Sequence, residues 1–219
     1  HGYDNATMRN DVVDRFERLR NDLDAVGSYL TSAGGGMRLA RRRSDRTFPS
    51  LHIAGLAMDL ASRGGSMGRR EEQWSDRAAT PYLVERIDTG RTHRNGSPKY
   101  RWHLWAQCDP PHGSVQVIPA LLDRRGNGGE VIMFEARVIS FTNLAARHRI
   151  QHIGNNAPYP GRYSQSEWWH MQCPDLCVGH KYGELLMQVH EWDEIQNSQF
   201  GEDRWLNAGW TGGWFRPDD

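Results

Sequence analysis

The sequence predicts an α+β fold built on a mainly antiparallel sheet flanked by helices. Two observations carry this. Strand-like runs outnumber helical ones, and the two kinds do not alternate in the regular order that a parallel sheet demands. A third bounds the size: 219 residues suffice for one large domain or two small ones. The reading taken is a single domain over residues 1–219 with a sizeable insertion.

The elements follow in chain order. In residues 11–26, Val12, Phe16, Leu19, Leu23 and Val26 recur at helical spacing with Asp, Arg and Glu between them. Asn10 or Asp11 can cap the start and Gly27 can end it. Residues 28–33 read as a short strand leading into Gly34, Gly35 and Gly36. Arg38, Arg41, Arg42, Arg43 and Arg46 then form a basic run, whose ordinary reading is a solvated loop. Residues 52–61 look like a buried strand, and residues 62–80, rich in Gly, Ser and charge, like a loop. Strand-like runs follow at residues 82–88, 100–106, 114–118 and 131–141, separated by turn-rich stretches. Asn143 can cap a short helix over residues 144–152. Residues 166–172 read as a strand and residues 182–189 as a helix with Leu185, Leu186 and Val189 inward.

Composition excludes some classes. Lys plus Arg number 27, as do Asp plus Glu, so there is no basic surplus of the kind that a nucleic-acid binder carries, and no nucleic-acid partner is expected. No apolar run approaches the ~20 residues that cross a bilayer, so no membrane span is expected. Three cysteines are not a disulfide framework. Cys173 and Cys177 could be a local disulfide, part of a second metal site or two free thiols. Cys108 is then unpaired within the monomer.

Two segments carry the chemistry. Ser50 to Leu60 holds His52 and Asp59, seven apart; Glu167, Trp168, Trp169 and His170 follow far downstream. Two imidazoles and two carboxylates suit a hydrolytic zinc centre, which needs about three N/O ligands, an open position for water and a nearby carboxylate. On one regular strand His52 and Asp59 would face opposite sides and lie more than ~20 Å apart at ~3.3 Å per residue. They can share an ion only if the chain bends between them, and Ala54, Gly55 and Ala57 make a loop from His52 to Gly55, followed by a strand carrying Asp59, feasible. Glu167 and His170 would also face opposite sides of a regular strand. Spacing alone leaves ordinary surface or core histidines as the competing reading.

The pattern Ser50-x-His52-x-x-Gly55-x-Ala57-x-Asp59-Leu60, followed by Glu167-x-Trp169-His170, resembles the zinc D-alanyl-D-alanine peptidases. That family comprises dipeptidases, carboxypeptidases and phage peptidoglycan endopeptidases, and shares a metal-binding fold with the signalling domain of hedgehog proteins. Residues 31–38, ending in Met37 and Arg38, are similar to the family's strand-and-arginine motif and stand in the expected place. The resemblance covers residues 28–61 and 164–172. It implies a hedgehog/DD-peptidase-like fold in which residues 62–163 contain an unmatched insertion. It further implies Zn2+ held by His52, Asp59 and His170, with Glu167 as general base and Arg38 on the substrate carboxylate or scissile carbonyl. Three glycines stand where many members have a Gly-aromatic pair, so Arg41, Arg42 and Arg43 are alternatives to Arg38. The implied substrate is a peptidoglycan peptide, with cleavage at bonds involving D-alanine. The implied setting is extracytoplasmic or virion-associated, at a cell wall or in a virion. The alternative is a non-enzymatic structural or binding module, for example in a phage tail, that keeps the fold and a zinc site; a module of that kind has no need of Glu167.

The other candidates have ordinary explanations. His148 and His152 stand four apart on the expected helix without an accompanying Glu, which makes them a polar helix face. His93, His103, His112, His180 and His190 lack a partner pattern. Trp205, Trp210, Trp214 and Phe215 suit either a sugar-stacking surface or a tail wrapped over the core, and the latter is favoured.

Overall fold

The computed structural model describes residues 8–30, 49–60, 82–92, 96, 98–122, 130–152, 169–212 and 215–216. Within them the chain is α+β, and every strand pairing is antiparallel. Helix α1 (Asn10–Ala25) forms where the helical spacing places it, burying Val12, Phe16, Leu19 and Leu23. Strand β1 (Ala57–Asp59) follows a turn-rich loop. Then come β2 (Tyr82–Thr92), β3 (Pro98–Gln107), β4 (Ser114–Leu122) and β5 (Glu130–Ser140). After them lie α2 (Phe141–Arg147), β6 (Gln151–His152) and β7 (His170–Gln172). The C-terminal part holds a 3-10 turn (Pro174–Leu176), α3 (Tyr182–Leu186), α4 (Trp192–Gln196), α5 (Asp203–Leu206), β8 (Gly209–Trp210) and β9 (Phe215–Arg216).

Strands β2 to β5 close into a small barrel in the order β2-β3-β5-β4. Side chains alternate faces along a strand, so each strand serves two cores. Leu83, Ile118, Ala120 and Val138 fill the inside. Tyr82, Val84, Trp102, Leu104, Ala106 and Leu121 point outward into the main core, where they meet α1, Phe141 and the C-terminal helices. Strand β7 lies between β1 and β6 in a second, three-stranded sheet. Met58 and Met171 are opposed there and buried on its core side.

Several sequence expectations change at element ends. Residues 52–61 are not one strand: 51–55 are turns and only Ala57–Asp59 is extended. Gly55 at φ 68° makes the bend, a left-handed backbone that costs glycine little. The helix expected over 144–152 begins and ends earlier. Ser140 is its cap, its Oγ accepting from the backbone N–H of Asn143 at 3.0 Å, because a serine three residues upstream serves as well as Asn143 itself. The chain then leaves the helix through Arg149 at φ 58°. His148 and His152 therefore share no helix face. His148 Nε2 pairs with Asp22 at 2.8 Å, and His152 is buried on β6. Ser28 to Leu30 are not extended into a strand; the rest of that expected strand, the loop at 62–80 and residues 166–168 lie outside the described residues. The helix over 182–189 stops at Leu186.

Cys108, Cys173 and Cys177 are buried and none of them is in a disulfide, which removes the local disulfide from the alternatives for the C-x3-C pair. The C-terminal aromatics pack inward: Phe215 is fully buried, 5.2 Å from both Tyr182 and Trp210 between ring centres, and Trp205 lies against Phe200. Trp214 lies outside the described residues.

Candidate metal centre

Asp59 and His170 come together through strand register. They are directly opposed in the antiparallel β1–β7 pair, and opposed residues project from the same face with adjacent side chains. The pairing is extended by Leu60 N–H, which donates to Trp169 O at 2.8 Å, and by Cys173 N–H, which donates to Leu56 O at 3.0 Å. His52 arrives differently. The turn through Gly55 folds the chain back, so that a residue seven positions before Asp59 lies beside it instead of a strand's length away.

The result is a cluster of three donors. Nε2 of His52 lies 3.1 Å, and Nδ1 of His170 3.2 Å, from the same atom, Oδ1 of Asp59. The imidazoles stand nearly perpendicular, at 86°, with centres 4.6 Å apart. All three donor atoms lie within 4.8 Å of one another, so the group could hold a metal ion. A tetrahedral ion with ligands at ~2.0–2.2 Å sets neighbouring donors roughly 3.3–3.6 Å apart, close to the two separations from Asp59. Two imidazole nitrogens and one carboxylate oxygen form a donor set suited to zinc and to other borderline divalent ions.

Burial disfavours the Asp59 carboxylate, but hydrogen bonds from His170 and His52, together with their charge, outweigh it and hold the group well below the usual carboxylate range. The site is shielded yet open: the side chains of His52, Asp59 and His170 are 19%, 31% and 10% exposed. Nδ1 of His52 is buried with no hydrogen-bond partner among the described residues. An ion on Nε2 would replace the proton that Nε2 donates to Asp59 in the metal-free chain and leave the proton on Nδ1.

Of the five residues singled out for chemistry, the structure brings His52, Asp59 and His170 together. Glu167 and Arg38, with the alternatives Arg41, Arg42 and Arg43, lie outside the described residues. Two further side chains reach the His52 loop without having been expected there. Tyr182 Oη donates to Ser50 O at 2.9 Å, and His190 Nε2 to Ile53 O at 2.8 Å. They are 132 and 137 residues from their acceptors, so no local pattern signals them.

Two further histidines have ordinary partners. His180 sits beside Glu184 at 3.3 Å, and His103 Nε2 lies 2.9 Å from Ser140 Oγ. No family model, no curated protein and no solved structure matches this chain.

Proposed function

We propose that this protein is a zinc-dependent peptidase that hydrolyses peptidoglycan peptides at bonds involving D-alanine, on a hedgehog/DD-peptidase-like fold. The observation that carries the reading is the meeting of His52, Asp59 and His170 at one point. Their sequence pattern resembles the zinc D-alanyl-D-alanine peptidases, and the positions that meet are the ones that the pattern would make ligands. Different devices bring them together, a strand register for Asp59 and His170 and a glycine turn for His52.

Zinc held there supplies a Lewis acid that polarises the scissile carbonyl and lowers the pKa of water toward ~7. The remaining roles fall to the chain. Glu167, three residues before His170, takes a proton from the attacking water on its carboxylate and hands it to the leaving amine nitrogen. Arg38 offers a fixed guanidinium to the substrate carboxylate or to the oxygen that gains charge. One face of the β1–β7 pair presents Asp59 and His170, while Met58 and Met171 anchor the opposite face in the core.

The test pairs metal analysis with cleavage of purified muropeptides ending in D-Ala-D-Ala. Wild type should carry one zinc per chain and release product. Glu167→Ala should keep the zinc and lose at least ~100-fold in rate. Equal rates in the two would remove Glu167 as the base. A zinc-loaded wild type inert on every muropeptide would replace the peptidase reading with that of a binding module.

A further inference from the structure

Three residues form the metal centre, but only two are placed by regular structure. The β1–β7 register sets Asp59 against His170, whereas His52 sits in a loop whose position rests on individual backbone bonds. Some are internal to the loop: Ile53 N–H to Ser50 O at 3.1 Å, Gly55 N–H to His52 O at 3.0 Å and Leu56 N–H to Leu51 O at 2.9 Å. Two carbonyls that bracket His52 are held from the C-terminal part of the chain. Ser50 O also receives the Tyr182 hydroxyl, and Ile53 O receives the His190 imidazole.

Both contacts are sheltered. Tyr182 is fully buried, Ile53 is 2% exposed and the His190 side chain 7% exposed. Without His190 the Ile53 carbonyl, in a residue this buried, has no water to replace its donor, whereas Ser50 O without the Tyr182 hydroxyl keeps the Ile53 N–H and loses its tie to α3. Because a carbonyl only accepts, the contact also places a proton on Nε2 of His190. Tyr182 opens α3, and His190 follows it in the segment leading into α4. One helical unit thus holds the histidine loop on both sides of His52.

We infer that His190 and Tyr182 are positioning residues for the metal centre: by holding the carbonyls of Ile53 and Ser50 they aim Nε2 of His52 at Asp59. The inference rests on reading His52, Asp59 and His170 as a metal site. Without these two donors the loop gains alternative conformations, and each must be given up when His52 binds an ion. The effect belongs in affinity, because partners that orient a ligand typically change metal binding by ~10–100-fold.

The experiment measures Zn2+ affinity of the full chain by competition with a chromogenic chelator, alongside the unfolding temperature of each metal-free protein. Tyr182→Phe removes a single hydroxyl and keeps the ring, so it serves even if a substitution at His190 fails to fold. Tyr182→Phe and His190→Phe should each weaken Zn2+ binding about tenfold in protein that is folded without metal. His190→Gln, which can present an N–H near the same place, should recover most of the loss. Folded Tyr182→Phe and His190→Phe that bind Zn2+ as tightly as wild type would overturn the inference, as would a His190→Gln defect equal to that of His190→Phe. A wild type that takes up no Zn2+ would instead remove the metal-centre reading beneath it, so the two failures are told apart.

Discussion

Replacing Asp59 with Asn tests the centre at the atom on which both histidines converge. Asn keeps the size and shape of the side chain and removes its charge. Without metal the cost is modest, because charge-assisted hydrogen bonds from His52 and His170 become neutral ones at a side chain 31% exposed. That difference is about 1 kcal/mol, or roughly 2–4 °C in unfolding temperature for a chain of this size. With metal the two proteins separate. Zinc at 1,000 times its Kd stabilises wild type by about 4.1 kcal/mol, a rise of roughly 8–16 °C. Asp59→Asn removes the only anionic donor of the three, and a loss of ~100-fold in affinity is a conservative expectation, since even supporting partners of a ligand cost up to that much. At the same zinc concentration the variant is then at about ten times its Kd. It gains only about 1.4 kcal/mol, or roughly 3–6 °C. Scanning calorimetry on chelator-stripped protein, with and without zinc, reads both numbers. A zinc-induced rise of the same size in the variant and in wild type would refute Asp59 as a ligand.

Two further predictions concern groups outside the centre. Burial pushes the thiols of Cys173 and Cys177 up to about 12, so native protein at pH 8 should leave both unmodified by a thiol reagent while denatured protein reacts fully; rapid labelling of the native chain at either would contradict their inward packing. Burial, aided by the charge of His103 and opposed by a backbone hydrogen bond at Trp102, pushes His152 down to about 3. The unfolded chain therefore takes up a proton there below pH ~6.5 while the folded chain does not, so this contribution is fully present above that pH and is lost as pH falls toward 3. Urea unfolding of metal-free protein should show about 2 kcal/mol of this loss between pH 6.5 and 5, and His152→Leu should flatten that part of the profile; an unchanged slope would show that His152 is not the group responsible.

Where local chemistry decides structure, the sequence was a good guide. The spacing of Val12, Phe16, Leu19 and Leu23 marked α1, and strand-like runs between turn-rich stretches marked the four long strands; β2, β3 and β4 ran beyond their expected ranges, while β5 is shifted by one residue from the expected 131–141. Strand ends were less clear because pairing, not propensity, extends them: Thr92 pairs with Pro98 and Leu122 with Glu130. The start of α2 was misplaced because Ser140 and Asn143 are both competent caps, and the choice depends on Phe141 being buried in the core.

The candidate site divides in the same way. The sequence by itself determined which residue types were available, two histidines and an aspartate in a recognisable pattern, and it placed Gly55 where a bend was needed. It could not determine that they meet, because on a regular strand His52 and Asp59 would point apart. Tertiary structure decided that. The β1–β7 register sets Asp59 against His170 across 111 residues of chain, and the loop turned through Gly55 carries His52 onto the same oxygen. It also brought Tyr182 and His190 to the carbonyls beside His52, through hydrogen bonds to backbone atoms. Every residue offers the same backbone carbonyl, so partners of that kind leave no trace in the identity of the residue they hold.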